Sequence, residues 1–267
     1  MSLTIPGTYL VSAVAYDVDA SVRTDLVKSF IKDEPDYVSN LTVGIRDYWR
    51  NRGLAAYCHS QLLSGSHEGT FGCDVIIVVR HNNKAKVCLF EAKFPRLSTS
   101  GYRWDSMQTS ANISHFTHQL RRQARWSHVA AIWELFIVEH AVGSQPQHFD
   151  QYASTCVLHE EAYRWDSTYR KAADKWTQDD VKQLVANVRQ QPKNIRTMLE
   201  RACRCSEGRY LEVSNGAVAL ISEDQDPAEV AVPAEVENLP EVVPAFCEEN
   251  GIEHFLFVRL DESEGEA

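Results

Sequence analysis

Three charged residues stand where two apolar runs begin and end. Asp74 opens the run Val75-Ile76-Ile77-Val78-Val79, and Glu91 and Lys93 close the run Val87-Cys88-Leu89-Phe90, with Ala92 between them. The polar stretch His81-Asn82-Asn83-Lys84 separates the runs and reads as the turn of a hairpin. An apolar strand buried on both faces has no packing use for charge at such points. Phosphodiester hydrolysis at neutral pH does. It needs a divalent cation to neutralise developing charge, a deprotonated water and in-line attack. Carboxylates are the ligands that Mg²⁺ prefers. Residues two apart on a strand share a face, so Glu91 and Lys93 project together, while Ala92 points away and offers its carbonyl. Antiparallel pairing across the turn returns Asp74 to the side of Glu91. Asp74, Glu91 and the Ala92 carbonyl are then the expected metal ligands, and Lys93 orients or activates water and stabilises charge. Each residue also has a plainer reading: Asp74 as a turn cap, Glu91 and Lys93 as solvated charges at a strand end.

Periodicity supplies the elements that must position these groups. Residues 21–33 read as a helix with Leu26, Val27, Phe30 and Ile31 on one face, ended by Pro35. A second helix is expected at 37–50 and a first strand at 55–63. The hairpin strands fall at about 74–80 and 86–92. A helix at 112–126 carries Ile113, Phe116, Leu120 and Ala124 near one face. Strands follow at 129–138 and at Cys156-Val157-Leu158, then helices at 176–190 and 193–204. An early helix could also supply an acidic ligand, with Glu34 and Asp47 as candidates. Beyond residue 205 the character changes. Residues 210–221 read as a hairpin turning at Ser214-Asn215-Gly216. Residues 223–245, rich in Asp, Glu, Pro, Val and Ala, read as an acidic linker. Phe255-Leu256-Phe257-Val258 reads as a last strand apolar enough to dock on something.

Charge is divided unevenly. The chain of 267 residues carries a net charge of −10. Residues 223–267 hold 14 acidic groups against the single Arg259, and the rest holds 23 acidic against 26 basic. The body is therefore mildly basic, which is compatible with a phosphate-binding surface. Lys84, Lys86, Arg96, Arg103, Arg121, Arg122 and Arg125 surround the charged hairpin in sequence, and a solvated face explains any one of them equally well. No apolar run reaches the roughly 20 residues of a membrane span, and no signal peptide is read at the N-terminus. Seven scattered cysteines suggest free thiols in a reducing compartment, hence a cytoplasmic or other intracellular setting, nuclear in a eukaryote. Tyr102-Arg103-Trp104-Asp105-Ser106 recurs as Tyr163-Arg164-Trp165-Asp166-Ser167 with unmatched flanks. The echo reads as coincidence or as an aromatic-basic surface for nucleotides.

Asp74 followed seventeen positions later by Glu91-Ala92-Lys93 resembles the PD-(D/E)XK nuclease superfamily. Cys73 stands where the motif's name has proline, a position that varies in the superfamily. Glu68 looks like the extra acidic residue that some restriction-like members place ahead of a Gly-x-Asp. Gln119-Leu120-Arg121-Arg122-Gln123 is similar to the glutamine-bearing helix that many members set beside the active site. The resemblance covers about residues 20–160. It implies an α/β fold with a restriction-endonuclease-like αβββαβ core, a mixed central sheet flanked by helices and, in this chain, a C-terminal acidic extension. The expected division is a nuclease-like domain over 1–205, then a hairpin, acidic linker and final strand over 206–267. The implied activity is a Mg²⁺- or Mn²⁺-dependent phosphodiesterase, read first as a DNA endonuclease, with RNA the second choice of substrate because the motif itself does not encode DNA or RNA. Asp74, Glu91, Lys93, Glu68 and Gln119 would form its catalytic set. The alternative is a nuclease-fold module that binds nucleic acid or protein without cleavage. The acidic segment would cover the basic site, bind a protein partner or mediate homo-oligomerisation.

Overall fold

Two helices pack first, and the sheet is built against them. The computed structural model describes residues 6–52, 58–62, 70–108, 112–188, 193–204, 206–231, 248 and 252–260. Helix α1 spans Pro6–Val27 and α2 spans Glu34–Asn51. The first helix thus begins well before residue 21 and stops before Phe30. Its Val11, Val14, Ala15, Val22 and Leu26 are all buried. Asp33 caps α2 by accepting from the Asp36 N–H at 3.0 Å, with Pro35 in the first turn.

The strands that follow are β1 (Cys58–Leu62), β2 (Val75–His81) and β3 (Lys84–Lys93), the last two closing the expected hairpin. Two short strands, β4 (Met107–Gln108) and β5 (Ile113–Ser114), precede helix α3 (His115–Ala124). Strands β6 (Ala131–Phe136) and β7 (Thr155–Leu158) come next. Helices α4 (His159–Tyr169), α5 (Gln178–Asn187) and α6 (Ile195–Cys203) follow, and α4 is not anticipated by the sequence reading. The chain ends in β8 (Leu211–Glu212), β9 (Ala217–Ile221), β10 (Pro227–Ala231) and β11 (His254–Arg259).

The main sheet runs β1-β11-β2-β3-β6-β7, with β8 pairing onto β3. Pairings β11 with β2 and β3 with β6 are parallel, and the rest are antiparallel. The docking expected of the last strand is therefore an insertion between β1 and β2. On one face Val75, Ile77, Phe90, Trp133 and Leu256 pack with α1, α2 and α6. On the other, Ile76, Val78, Leu89, Ile132, Phe255 and Phe257 meet Phe71 and Trp126, while Phe136 and Val157 meet Phe116 and Leu120 of α3. The protein is an α/β fold with a mixed sheet flanked by helices.

Two local expectations change. The turn at Ser214-Asn215-Gly216 forms, with Asn215 at φ 51° and Gly216 at φ 76°. Its strands pair elsewhere, however: β8 lies on β3, and β9 pairs with β10. The acidic stretch 223–245 therefore contains a strand at its start, because Val218, Leu220 and Val230 bury their side chains under the sheet. The Tyr-Arg-Trp-Asp-Ser echo has a structural use. Asp105 accepts from Ser114 Oγ at 2.6 Å and the Phe116 N–H at 3.1 Å, while Asp166 accepts from Thr117 Oγ1 at 2.8 Å. Both aspartates are buried and grip the first turn of α3. No described helix is long and apolar enough to cross a membrane.

Candidate active site

The hairpin register decides which charges meet. Val75 pairs with Phe90, so Asp74 and Glu91 stand one step further at the same end of the two strands. Glu91 also pairs directly with Glu134 on β6. Asp74 is pinned by its backbone. Its N–H donates to the Phe90 carbonyl at 3.1 Å, and its carbonyl accepts from Glu253 N–H at 3.2 Å and His254 N–H at 3.0 Å. Its side-chain Oδ2 accepts from the Ala92 N–H at 3.0 Å. The Ala92 side chain lies in the opposite core, with Val75 and Leu135, as strand alternation requires.

Glu91 is fully buried, and its Oε1 accepts from Lys93 Nζ and from Gln119 Nε2. Its Oε2 has no hydrogen-bond partner. Lys93 also reaches Glu34 Oε1 at 3.5 Å, and Glu34 Oε2 accepts from the Phe94 N–H at 2.9 Å. Position one of α2 thus brings a third carboxylate to the hairpin end, as one of the two early-helix candidates. Asp47, the other, stands thirteen residues along the same helix, about 20 Å away by helical rise, and pairs with Arg46.

Helix α3 aims Gln119 through its fixed first turn. Ser114 caps it by accepting from the Thr117 N–H at 3.1 Å, and Asp105 holds Ser114. One turn on, Gln123 Nε2 donates to the Gly72 carbonyl at 2.7 Å. Gly72 has φ +67°, and a Cβ there would sit 2.9 Å from the Gln119 carbonyl oxygen. Glycine lets the loop before Asp74 lie directly against α3. Glu68, expected ahead of this loop, lies outside the described residues.

Electrostatics are dominated by burial and by like charge. Burial, then Asp74, pushes the Glu91 carboxyl well above the usual range, against the opposing pull of Lys93. Glu34 is held at about 7, first by burial, with Lys93 lowering it and Asp74 raising it. Burial disfavours the Lys93 ammonium, yet Glu34, Glu91 and Asp74 together outweigh it, so the lysine stays charged. The carboxylates are crowded enough to repel one another, and one of them keeps a free oxygen out of water. Such a cluster suits a cation or a proton donor at its centre.

Sequence reasoning missed two groups of residues here. Glu134 is fully buried in the apolar strand β6. Its Oε1 is 3.3 Å from His159 Nδ1, which is also 2.8 Å from Gln123 Oε1. Its signal was present: a glutamate inside Ala-Ile-Trp-Glu-Leu-Phe is as misplaced as Glu91. His254, the first residue of β11, and Glu253 just before it carried no signal, because nothing local ties them to Asp74. His254 is buried, and burial pushes its pKa down to about 4 although Asp74 opposes this, so it is neutral.

The sequence-adjacent basic residues do not form one open surface. Lys86 is buried and donates to the Glu207 carbonyl at 2.7 Å. Lys84 pairs with Glu212 at 3.2 Å, Arg125 with Asp224 and Asp226, and Arg96 lies 5.0 Å over both Phe94 and Tyr102. Arg103 and Arg121 are exposed. Compared with known proteins, the chain matches no family model and no curated sequence.

Proposed function

We propose that this chain is a divalent-metal-dependent nuclease that hydrolyses phosphodiester bonds, acting on DNA as an endonuclease with a restriction-endonuclease-like core. The observation that carries this reading is the meeting of Asp74, Glu91 and Lys93, with Gln119 and Glu34, at one end of the β2–β3 hairpin. Apart from the short β4 and β5, the chain order α2-β1-β2-β3-α3-β6 is that of an αβββαβ core, with β11 inserted between β1 and β2. Asp74 and Glu91 would hold Mg²⁺ or Mn²⁺. Among the described residues no three Asp, Glu, His or Cys side chains are grouped to chelate an ion unaided. Mg²⁺ is commonly held by one or two carboxylates, with water and substrate phosphate oxygens completing its shell. The unpartnered Oε2 of Glu91 fits that arrangement. The ion, when bound, supplies charge neutralisation at the phosphate and acidifies water.

The chain's own residues do the rest. Lys93 presents a permanent positive charge to a phosphate oxygen or orients the attacking water. Gln119 keeps the Glu91 carboxylate in one orientation. Glu34 accepts from Lys93 and holds it at the hairpin end. The buried thiols at Cys58, Cys73, Cys88, Cys156 and Cys203, none of them in a disulfide, suit an intracellular, reducing setting. Supercoiled, linear and single-stranded DNA, and RNA, are incubated with the protein and Mg²⁺ or Mn²⁺. Cleavage that needs the metal and falls at least about 10²-fold in Asp74→Ala and Lys93→Ala is expected. Cleavage unchanged in both variants, or no cleavage by the wild type, would overturn the reading. Binding without cleavage would favour the non-catalytic module.

A further inference from the structure

Three polar side chains are buried between the hairpin and α4, and the cleavage chemistry above uses none of them. Gln123 comes from α3, Glu134 from β6 and His159 from α4, and none is more than 2 % exposed. Glu134 pairs with Glu91 across β6 and β3, so the two carboxylates stand at one level on one face. Gln123 lies one turn beyond Gln119 on the same side of α3. The two glutamines reach different parts of the site. Gln119 Nε2 donates to Glu91 Oε1, and Gln123 Nε2 donates to the Gly72 carbonyl at 2.7 Å.

The surroundings of Gln123 leave its amide one orientation. His159 Nδ1 faces Glu134 Oε1 at 3.3 Å, and a carboxylate only accepts, so that nitrogen carries the proton. The amide atom 2.8 Å from the same Nδ1 is then the oxygen of Gln123. Its Nε2 is left for the Gly72 carbonyl, with Glu134 Oε2 as a second acceptor at 3.4 Å. A flipped amide would set oxygen against the Gly72 carbonyl and N–H against the imidazole N–H. The imidazole itself is stacked on Tyr163, one turn along α4, with ring centroids 5.7 Å apart.

We propose that Gln123 is a positioning residue of the cleavage site, its amide turned by His159 and Glu134 so that it holds the Gly72 carbonyl and, through it, the place of Asp74 beside Glu91. This rests on the nuclease reading. Gly72 stands two residues before Asp74, and its lack of a side chain lets the loop lie on α3 where the Gln123 bond can form. The Ala92 N–H holds Asp74 Oδ2 from the strand side, and Gln123 holds the approach to Asp74 from the helix side. One face of α3 thereby sets both carboxylates, Glu91 through Gln119 and Asp74 through Gln123. Catalytic groups misplaced by about 1 Å lose much of their rate advantage.

The test is steady-state cleavage, with Mg²⁺ or Mn²⁺, of the nucleic acid that the wild type cuts, at a temperature where circular dichroism shows every variant folded. Gln123→Met keeps the shape and removes the amide. It is expected to lower kcat about tenfold or more with KM within about twofold of the wild type. His159→Leu should fall likewise, whereas His159→Asn, which carries an N–H at the reach of Nδ1, should recover to within about threefold of the wild type. Asn194→Ala, which removes the cap of α6 away from the hairpin, should lower Tm and leave kcat unchanged. If folded Gln123→Met cleaves as the wild type does, or if His159→Asn loses as much as His159→Leu, the proposal is overturned and the nuclease reading stands. A loss of kcat in Asn194→Ala as large as in Gln123→Met would also overturn it, because rate would then merely follow stability. A wild type that cuts no nucleic acid with either metal brings down the nuclease reading and this proposal with it. Should Gln123→Met fail to fold, Gln123→Asn, one methylene short of the Gly72 carbonyl, is read against the same results.

Discussion

Two buried carboxylates in this molecule have opposite surroundings. Asp19, fully buried on α1, has both oxygens in use. Oδ1 accepts from Tyr37 Oη at 2.5 Å, and Oδ2 accepts from Ser154 N–H at 2.9 Å and Ser154 Oγ at 2.6 Å. Arg23, one turn along, donates to the carbonyls of Val138, His140 and Gln151. Glu91 is equally buried, but one of its oxygens has no partner and its neighbours include Asp74 and Glu34. Burial raises both carboxyls. The next influence separates them: hydrogen bonds from Ser154 and Tyr37 lower Asp19, whereas Asp74 raises Glu91 further. A satisfied cluster ties α1 to α2 and to the loop before β7. An unsatisfied one is a structural cost, which the proposed cation would relieve.

Substitutions should separate the two clusters. Asp19→Ala leaves both Ser154 donors unpaired beside a buried guanidinium and strips the Tyr37 hydroxyl of its shorter bond, leaving it only the residue 19 carbonyl at 3.2 Å. A loss of about 4 kcal/mol in urea denaturation is expected, and a loss under about 1 kcal/mol would erase the contrast. Asp19 also carries a pH signature. Its folded pKa of about 6 lies above the ordinary 3.8. Its contribution is then complete below 3.8 and is lost as pH rises through about 6. Between pH 4 and 7 the wild type should lose about 2 kcal/mol relative to Asp19→Asn; parallel stability curves would reject this. Glu91→Gln is expected to act the other way. Without metal it removes a repelled charge and raises stability by about 1–2 kcal/mol, while metal-dependent cleavage is lost. A destabilised Glu91→Gln would mean that Glu91 is as well satisfied as Asp19. The smallest effect belongs to the surface. Arg125→Ala breaks exposed pairs with Asp224 and Asp226 and should cost no more than about 1 kcal/mol by thermal melting.

Legibility in the sequence followed locality. The β2–β3 hairpin and its end charges could be read because strand alternation, a four-residue turn and two short runs determine the register. Gln119 was readable because α3 is the next helix in the chain after the hairpin. Glu34 was only one of two early-helix candidates, since a sequence does not say which end of α2 meets the sheet. The start of α1 was missed because its apolar residues face both α2 and α6, which blurs the one-sided pattern. The Tyr-Arg-Trp-Asp-Ser echo drew attention through its aromatics, yet its aspartates are what the fold uses. Glu253 was unreadable: its place depends on parallel pairing between residues 254–259 and 75–80, which no local pattern encodes.

That pairing also sets an order of events during synthesis. Strand β2 emerges from the ribosome long before β11, and until β11 arrives it lacks its second neighbour. The Asp74 carbonyl meanwhile has neither of the two N–H groups that fix it. A nascent chain therefore carries the whole hairpin motif without a finished site. For the proposed nuclease, the site would be complete only once residues 253 and 254 are made.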